Sequence, residues 1–97
     1  MKRFFKPLLC ALALSLLASA ANAACYADYR ARMDNPLRLH YGVIEVPQSA
    51  CSVSAASSYV AGRLAAQGWT LVNVSSVFDD SGLTSRRSDA GQYYLRF

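Results

Sequence analysis

The segment Cys25–Val46, CYADYRARMDNPLRLHYGVIEV, decides the fold. Over Tyr26–Met33 the side chains alternate: Ala27, Tyr29, Ala31 and Met33 point one way, and Asp28, Arg30 and Arg32 the other. A period of two is the pattern of a strand with one buried face. A short helix using Tyr26, Tyr29 and Met33 is the competing reading of the same residues. Asp34-Asn35-Pro36 is a turn signal, and Arg38–Val46, rich in β-branched and aromatic residues, reads as a second strand. Folding the chain at Asn35-Pro36 sets residue 25 opposite residue 46, a few residues before Cys51. A hairpin therefore brings Cys25 and Cys51 together, which the helix reading does not require. The pair is expected to form a disulfide. Closing a loop of about 25 residues would stabilise the fold by roughly 3–4 kcal/mol through chain entropy, much of the margin available to a domain this small.

Upstream of this segment, Met1–Ala23 reads as a cleaved signal peptide. Lys2, Arg3 and Lys6 make a positive n-region, and Leu8–Ala21 is an apolar run shorter than the roughly 20 residues of a spanning helix. Ala21-Asn22-Ala23 offers small residues at −3 and −1, so cleavage is expected between Ala23 and Ala24. The 97-residue chain then leaves one small domain, residues 24–97, with no transmembrane segment and a periplasmic or secreted destination. Its formal charge of +4 falls to near +1, because three of the ten basic residues and none of the six acids lie in the leader. That balance excludes a strongly basic nucleic-acid binder, and the length excludes a large enzyme. A lipoprotein anchored through Cys25 is an alternative, although Asn22 stands where such processing wants a Leu-like residue.

Downstream, Pro47–Ser52 reads as a loop with Ser52 or Ser54 available as a helix cap. Val53, Ala56, Val60 and Leu64 form an apolar stripe at helical spacing, with Ser58, Gly62 and Ala65 on the far side and Gly68 as the stop. Trp69–Phe78 reads as a third strand, Asp79–Gly91 as a polar loop, and Gln92–Phe97, alternating again, as a fourth strand. The expected fold class is α+β: a four-stranded, mainly antiparallel ββαββ sheet of order 1-2-4-3 with one helix on one face.

The motif Gly68-Trp69-x-Leu71-Val72 lies within Leu64–Val74 (LAAQGWTLVNV), preceded by HYGVIEV and followed by QYYLRF. This stretch resembles a small bacterial domain family of unknown function, in which a helix ends in a G-W-x-L-V motif and two strands follow. The likeness spans about Arg38–Phe97. It implies a fold and brings no catalytic residues with it. The leader, the segment carrying Cys25 and the long loop before the last strand depart from that pattern.

Few residue sets suggest chemistry. Asp79, Asp80 and Asp89 lack the alternating ligands and closing Glu of a calcium loop and read as a solvated turn. Arg86 and Arg87 suit an anion, but the acids of the same loop are expected to pair with them. Cys25, Cys51 and His40 lack metal-ligand spacing. His40 reads as a packed strand residue, and Asn73-Val74-Ser75 falls in mid-strand, away from the surface loops where glycosylation occurs. No catalytic residue, metal or cofactor is expected. With one helix, one sheet face is left bare, and Arg30, Arg32, Tyr41, Tyr94 and Arg96 are the expected partner or ligand face. The expected role is non-enzymatic binding, or self-association through that face or an edge strand, without nucleic acid. The alternative is a thiol-dependent redox factor or enzyme using Cys51 with His40.

Overall fold

The computed structural model describes residues 24–97, and the expected leader Met1–Ala23 with its cleavage site lies outside the described residues. Strands β1 (Cys25–Met33) and β2 (Arg38–Val46) form the expected antiparallel hairpin, with Cys25 facing Val46 and Met33 facing Arg38. The strand reading prevails over the helical one because alternation puts Ala27, Tyr29 and Ala31 on one buried face. In the turn, Asn35 adopts φ of 61°, a left-handed conformation that asparagine tolerates better than most residues. Cys25 and Cys51 are disulfide-bonded, as the hairpin requires, with their Cα atoms 6.0 Å apart.

Helix α1 (Val53–Ala65) begins at Ser52, whose hydroxyl accepts the Ala55 N–H at 3.2 Å. Ala56, Val60 and Leu64 are buried, while Val53 in the first turn stays exposed. The helix closes through a paired motif. The Trp69 N–H donates to the Leu64 carbonyl and the Gly68 N–H to the Ala65 carbonyl, with Gly68 at φ of 81°. This closure needs a left-handed residue, which glycine supplies without a Cβ clash. It turns Trp69 into the same core cluster as Leu64.

Strand β3 (Thr70–Phe78) pairs antiparallel with β1, giving a three-stranded sheet of order β2-β1-β3. The expected fourth strand and the order 1-2-4-3 are therefore corrected. Gly91 and Leu95 both have positive φ, 55° and 54°, which breaks extended backbone just before and again within Gln92–Phe97. What remains is a 3₁₀ turn at Gly91–Tyr93 and a single parallel bridge from Tyr94 to Val43, with the Leu95 N–H on the Val43 carbonyl at 2.9 Å. The supposed loop Asp79–Gly91 is also corrected, since it holds a 3₁₀ turn (Asp80–Gly82) and a second helix, α2 (Leu83–Ala90). The fold is thus α+β with a three-stranded antiparallel sheet and two helices, α1 on the inner face and α2 on the outer.

The inner core centres on Tyr29, whose ring lies across Gly42 of β2. A Cβ at residue 42 would sit 2.5 Å from the Tyr29 hydroxyl oxygen, and Tyr29 is fully buried with nowhere to move. At Gly62, on the exposed side of α1, an added Cβ meets nothing within 4 Å. Gly42→Ala is therefore expected to lose about 1–3 kcal/mol of stability by overpacking. Gly62→Ala should gain up to about 1 kcal/mol through helix propensity. Urea unfolding of the two variants beside the wild type checks both signs.

Candidate binding face

Beyond the end row of Glu45, Tyr26 and Phe78, the outer face carries three cross-strand rows set by the register. Val43, Asp28 and Ser76 form the first, Tyr41, Arg30 and Asn73 the second, and Leu39, Arg32 and Thr70 the third. Helix α2 closes the first row. Asp28 is buried there, and both of its carboxylate oxygens accept hydrogen bonds. Ser76 Oγ donates to Oδ1 at 2.6 Å, and Tyr41 Oη and Arg86 Nε donate to Oδ2 at 2.8 and 3.2 Å. Burial opposes ionisation, but the hydrogen bonds from Ser76, Tyr41 and Arg86 outweigh it and hold the carboxyl below its usual range. Burial, then the bond to Asp28, pushes the Tyr41 hydroxyl up to about 12.

Arg86 reaches Asp28 by lying 4.0 Å above the Phe78 ring and donating Nη1 to the Gly82 carbonyl at 2.8 Å. A Cβ at Gly82 would meet Phe78 at 2.6 Å and Arg86 Nη1 at 2.8 Å, so the seat for the guanidinium depends on glycine there. The adjacent arginines thus diverge. Arg86 pairs with Asp28 of β1 instead of the loop acids, and Arg87 lies over the Tyr94 ring at 5.5 Å. Asp79 accepts the Ser81 N–H at 3.0 Å, capping the 3₁₀ turn, and the Ser81 bonds hold its carboxyl low.

The second and third rows are left largely uncovered by the described residues. Arg30 and Arg32 are exposed, and Leu39 and Val72 beside them are 69% and 55% exposed. Arg30, Ala31, Leu39, His40 and Val72 line a shallow cleft of about 350 Å³. Among the described residues Arg30 has no ion-pair partner, and Arg32 meets only Asp34, at 4.0 Å with both side chains more than half exposed.

The five residues expected on one face are therefore divided. Arg30 and Arg32 stand on the open rows. Tyr41 shares that face, but its hydroxyl is committed to Asp28. Tyr94 sits at the β2 edge under Arg87. Arg96 lies on the α1 side, lining a hollow with Gly62, Arg63 and Gln67. Leu39 and Val72 were missed. Leu39 was legible, since the hairpin register sets it opposite Arg32. Val72 was not, because its exposure follows from a bulge where β3 shifts register against Arg30 and Ala31.

On the inner side His40 is enclosed by aromatic rings. It stacks on Tyr93 at 3.7 Å, meets Trp69 edge-on at 4.3 Å, and places Nε2 3.0 Å from the Tyr29 hydroxyl. Its Nδ1 is buried with no hydrogen-bond partner. Burial, and secondarily the charge of Arg96, holds the imidazole down at about 4. The Cys51 sulfur is bonded to Cys25 and His40 to its aromatic neighbours, so neither presents a free thiol–imidazole pair. Among the described residues no group of three or more His, Cys, Asp or Glu side chains gathers as a metal site, and no helix is long and apolar enough to cross a membrane. Compared with protein-family models, curated proteins and solved structures, the chain matches none.

His40 sets a pH dependence. Unfolded, its imidazole titrates near 6.5, and folded it stays neutral down to about 4. Between those values the unfolded chain binds more protons, so this contribution is complete above 6.5 and is lost as pH falls toward 4. Asp28 acts lower, its contribution being lost as pH falls through a value below 3.8. Urea unfolding at about pH 7.5 and about pH 4.5 should show a clear loss for the wild type. His40→Phe, although it leaves the Tyr29 hydroxyl unpaired, should have a flatter profile across the same window.

Proposed function

We propose that this is an exported, non-enzymatic binding domain that takes its partner on the uncovered half of the outer face. The observation that carries the reading is the pairing of exposed apolar side chains, Leu39 and Val72, with an arginine, Arg30, that forms no ion pair among the described residues. Such a surface is solvated poorly on its apolar part and is electrostatically unsatisfied on its charged part.

The face is favoured over the edges. The C-terminal segment covers part of the β2 edge through Tyr94 and Leu95, and two register shifts bend β3, a device that discourages strand addition. A partner bringing negative charge is favoured over a second copy, because two-fold pairing of this face would bring arginine patches of like charge together. The disulfide supports residence in an oxidising compartment, the periplasm or the medium, and agrees with the leader reading. It also uses both sulfurs that a thiol-based activity or a lipid anchor at Cys25 would need.

An anionic apolar dye, anilinonaphthalene sulfonate, carries the two features this face should recognise. The folded, oxidised protein should bind it saturably. Leu39→Asp and Arg30→Glu should each weaken binding by about fivefold or more, the equivalent of about 1 kcal/mol. Arg96→Glu should leave it nearly unchanged. Dye binding insensitive to Leu39 and Arg30 would remove the face from consideration.

A further inference from the structure

The uncovered rows run on into the tip of the hairpin. The three most exposed large apolar side chains among the described residues are Leu39 at 69%, Leu37 at 65% and Val72 at 55%, and all three lie at this end of the sheet. Arg30, Arg32 and Arg38 lie there too, with Arg38 held over the Trp69 ring at 5.3 Å. Asp34 is the acid of that turn. The register puts Glu45, opposite Tyr26, and the Asp79-Asp80 pair, following Phe78, at the other end of the strands. Of the arginines toward that end, Arg86 is paired with Asp28 and Arg87 lies over Tyr94, so the acids outnumber the unpaired cations there, and the apolar exposure coincides with the more positive end of the sheet.

We infer that this pole docks on an anionic lipid surface, with Leu37 and Leu39 entering the interface and Arg30 and Arg32 meeting the headgroup phosphates. The inference rests on the outer face being the binding surface and names its occupant. Charge complementarity selects an anionic partner. The shape selects lipid over an acidic protein, because leucines projecting from a hairpin tip need a matching pocket in a protein partner but none in a bilayer interface. There, apolar side chains and guanidinium groups settle at different depths. Guanidinium forks also match phosphate oxygens two at a time, which suits arginine in place of lysine at such a boundary. The chain outside the leader holds seven arginines and no lysine.

Near an anionic membrane each such cation strengthens partition by about fivefold. The test uses protein recovered from its host with the disulfide intact, sedimented with vesicles of phosphatidylcholine alone or mixed with phosphatidylglycerol. Binding is expected only to the anionic vesicles and should fall steeply in high salt. Arg30→Glu and Arg32→Glu should each weaken it by about fivefold or more, and Leu37→Asp with Leu39→Asp should abolish it. Arg96→Glu makes the same change in net charge at a site off this pole and should weaken binding clearly less. Equal binding to neutral vesicles, equal losses for Arg96→Glu and Arg30→Glu, or no binding to anionic vesicles would each overturn the inference. If vesicles fail while the dye still binds in a Leu39- and Arg30-dependent way, the lipid assignment falls and the binding face stands. If both fail, both fall.

Discussion

Asp28 sits in β1 with its carboxylate largely out of water, a placement that is destabilising by several kcal/mol unless its oxygens find donors. The donors come from three other elements: Tyr41 of β2, Ser76 of β3 and Arg86 of α2. One charge thus ties together every element of the outer layer. Helix α2 depends on it most. Its sequence, LTSRRSDA, offers no apolar stripe, and Ala90 is its one buried residue. With Ala90 its one buried apolar residue, the helix has little hydrophobic burial of its own, and its seat depends chiefly on the Asp28–Arg86 pair, with the Arg86 guanidinium packed on Phe78. Where α2 sits in turn fixes which rows of the outer face are closed and which stay open.

The same seat directs the C-terminal segment. From α2 the chain turns at Gly91, passes the β2 edge through Tyr94 and Leu95, and delivers Tyr93 and Phe97 to the inner side, where Tyr93 stacks on His40. The segment therefore links the two faces. On the inner side the His40 cage and the disulfide hold the hairpin against α1 without offering accessible reactive groups. The open rows are the part of the sheet that the described residues leave without cover, and Arg30 there has no ion-pair partner among them. Arg86, by contrast, is used internally, and Arg87 and Arg38 lie over Tyr94 and Trp69.

Local signals carried far in this sequence. Alternation in Cys25–Met33, the turn at Asn35-Pro36 and the register that follows were legible, and so were the disulfide, the stripe of α1 and the stop at Gly68. Each depends on residues close in sequence or on simple counting. The fourth strand was misread because alternation in Gln92–Phe97 is real while the backbone at Gly91 and Leu95 is left-handed, and Leu95 gives no sign of that. Helix α2 was misread because its sheet-facing residue is an arginine, and the carboxylate that receives it is 58 residues away. Leu83, Arg86 and Ala90 do recur at helical spacing, a weak signal visible once an arginine is allowed to face inward. The candidate face was half legible for the same reason. Arg30 and Arg32 follow from β1 alone, whereas Tyr94 and Arg96 were assigned through a strand that does not form.

The account's central claim is that α2 is held on the sheet by the buried Asp28–Arg86 interaction. A double-mutant cycle of Asp28→Asn and Arg86→Met, read by urea unfolding at neutral pH with amide hydrogen exchange over Leu83–Ala90, tests it most directly. The account predicts a coupling of about 1–3 kcal/mol, and loss of exchange protection in α2 in either single variant while the β1–β2 hairpin stays protected. Single effects that add within about 0.3 kcal/mol, with α2 still protected, would contradict it.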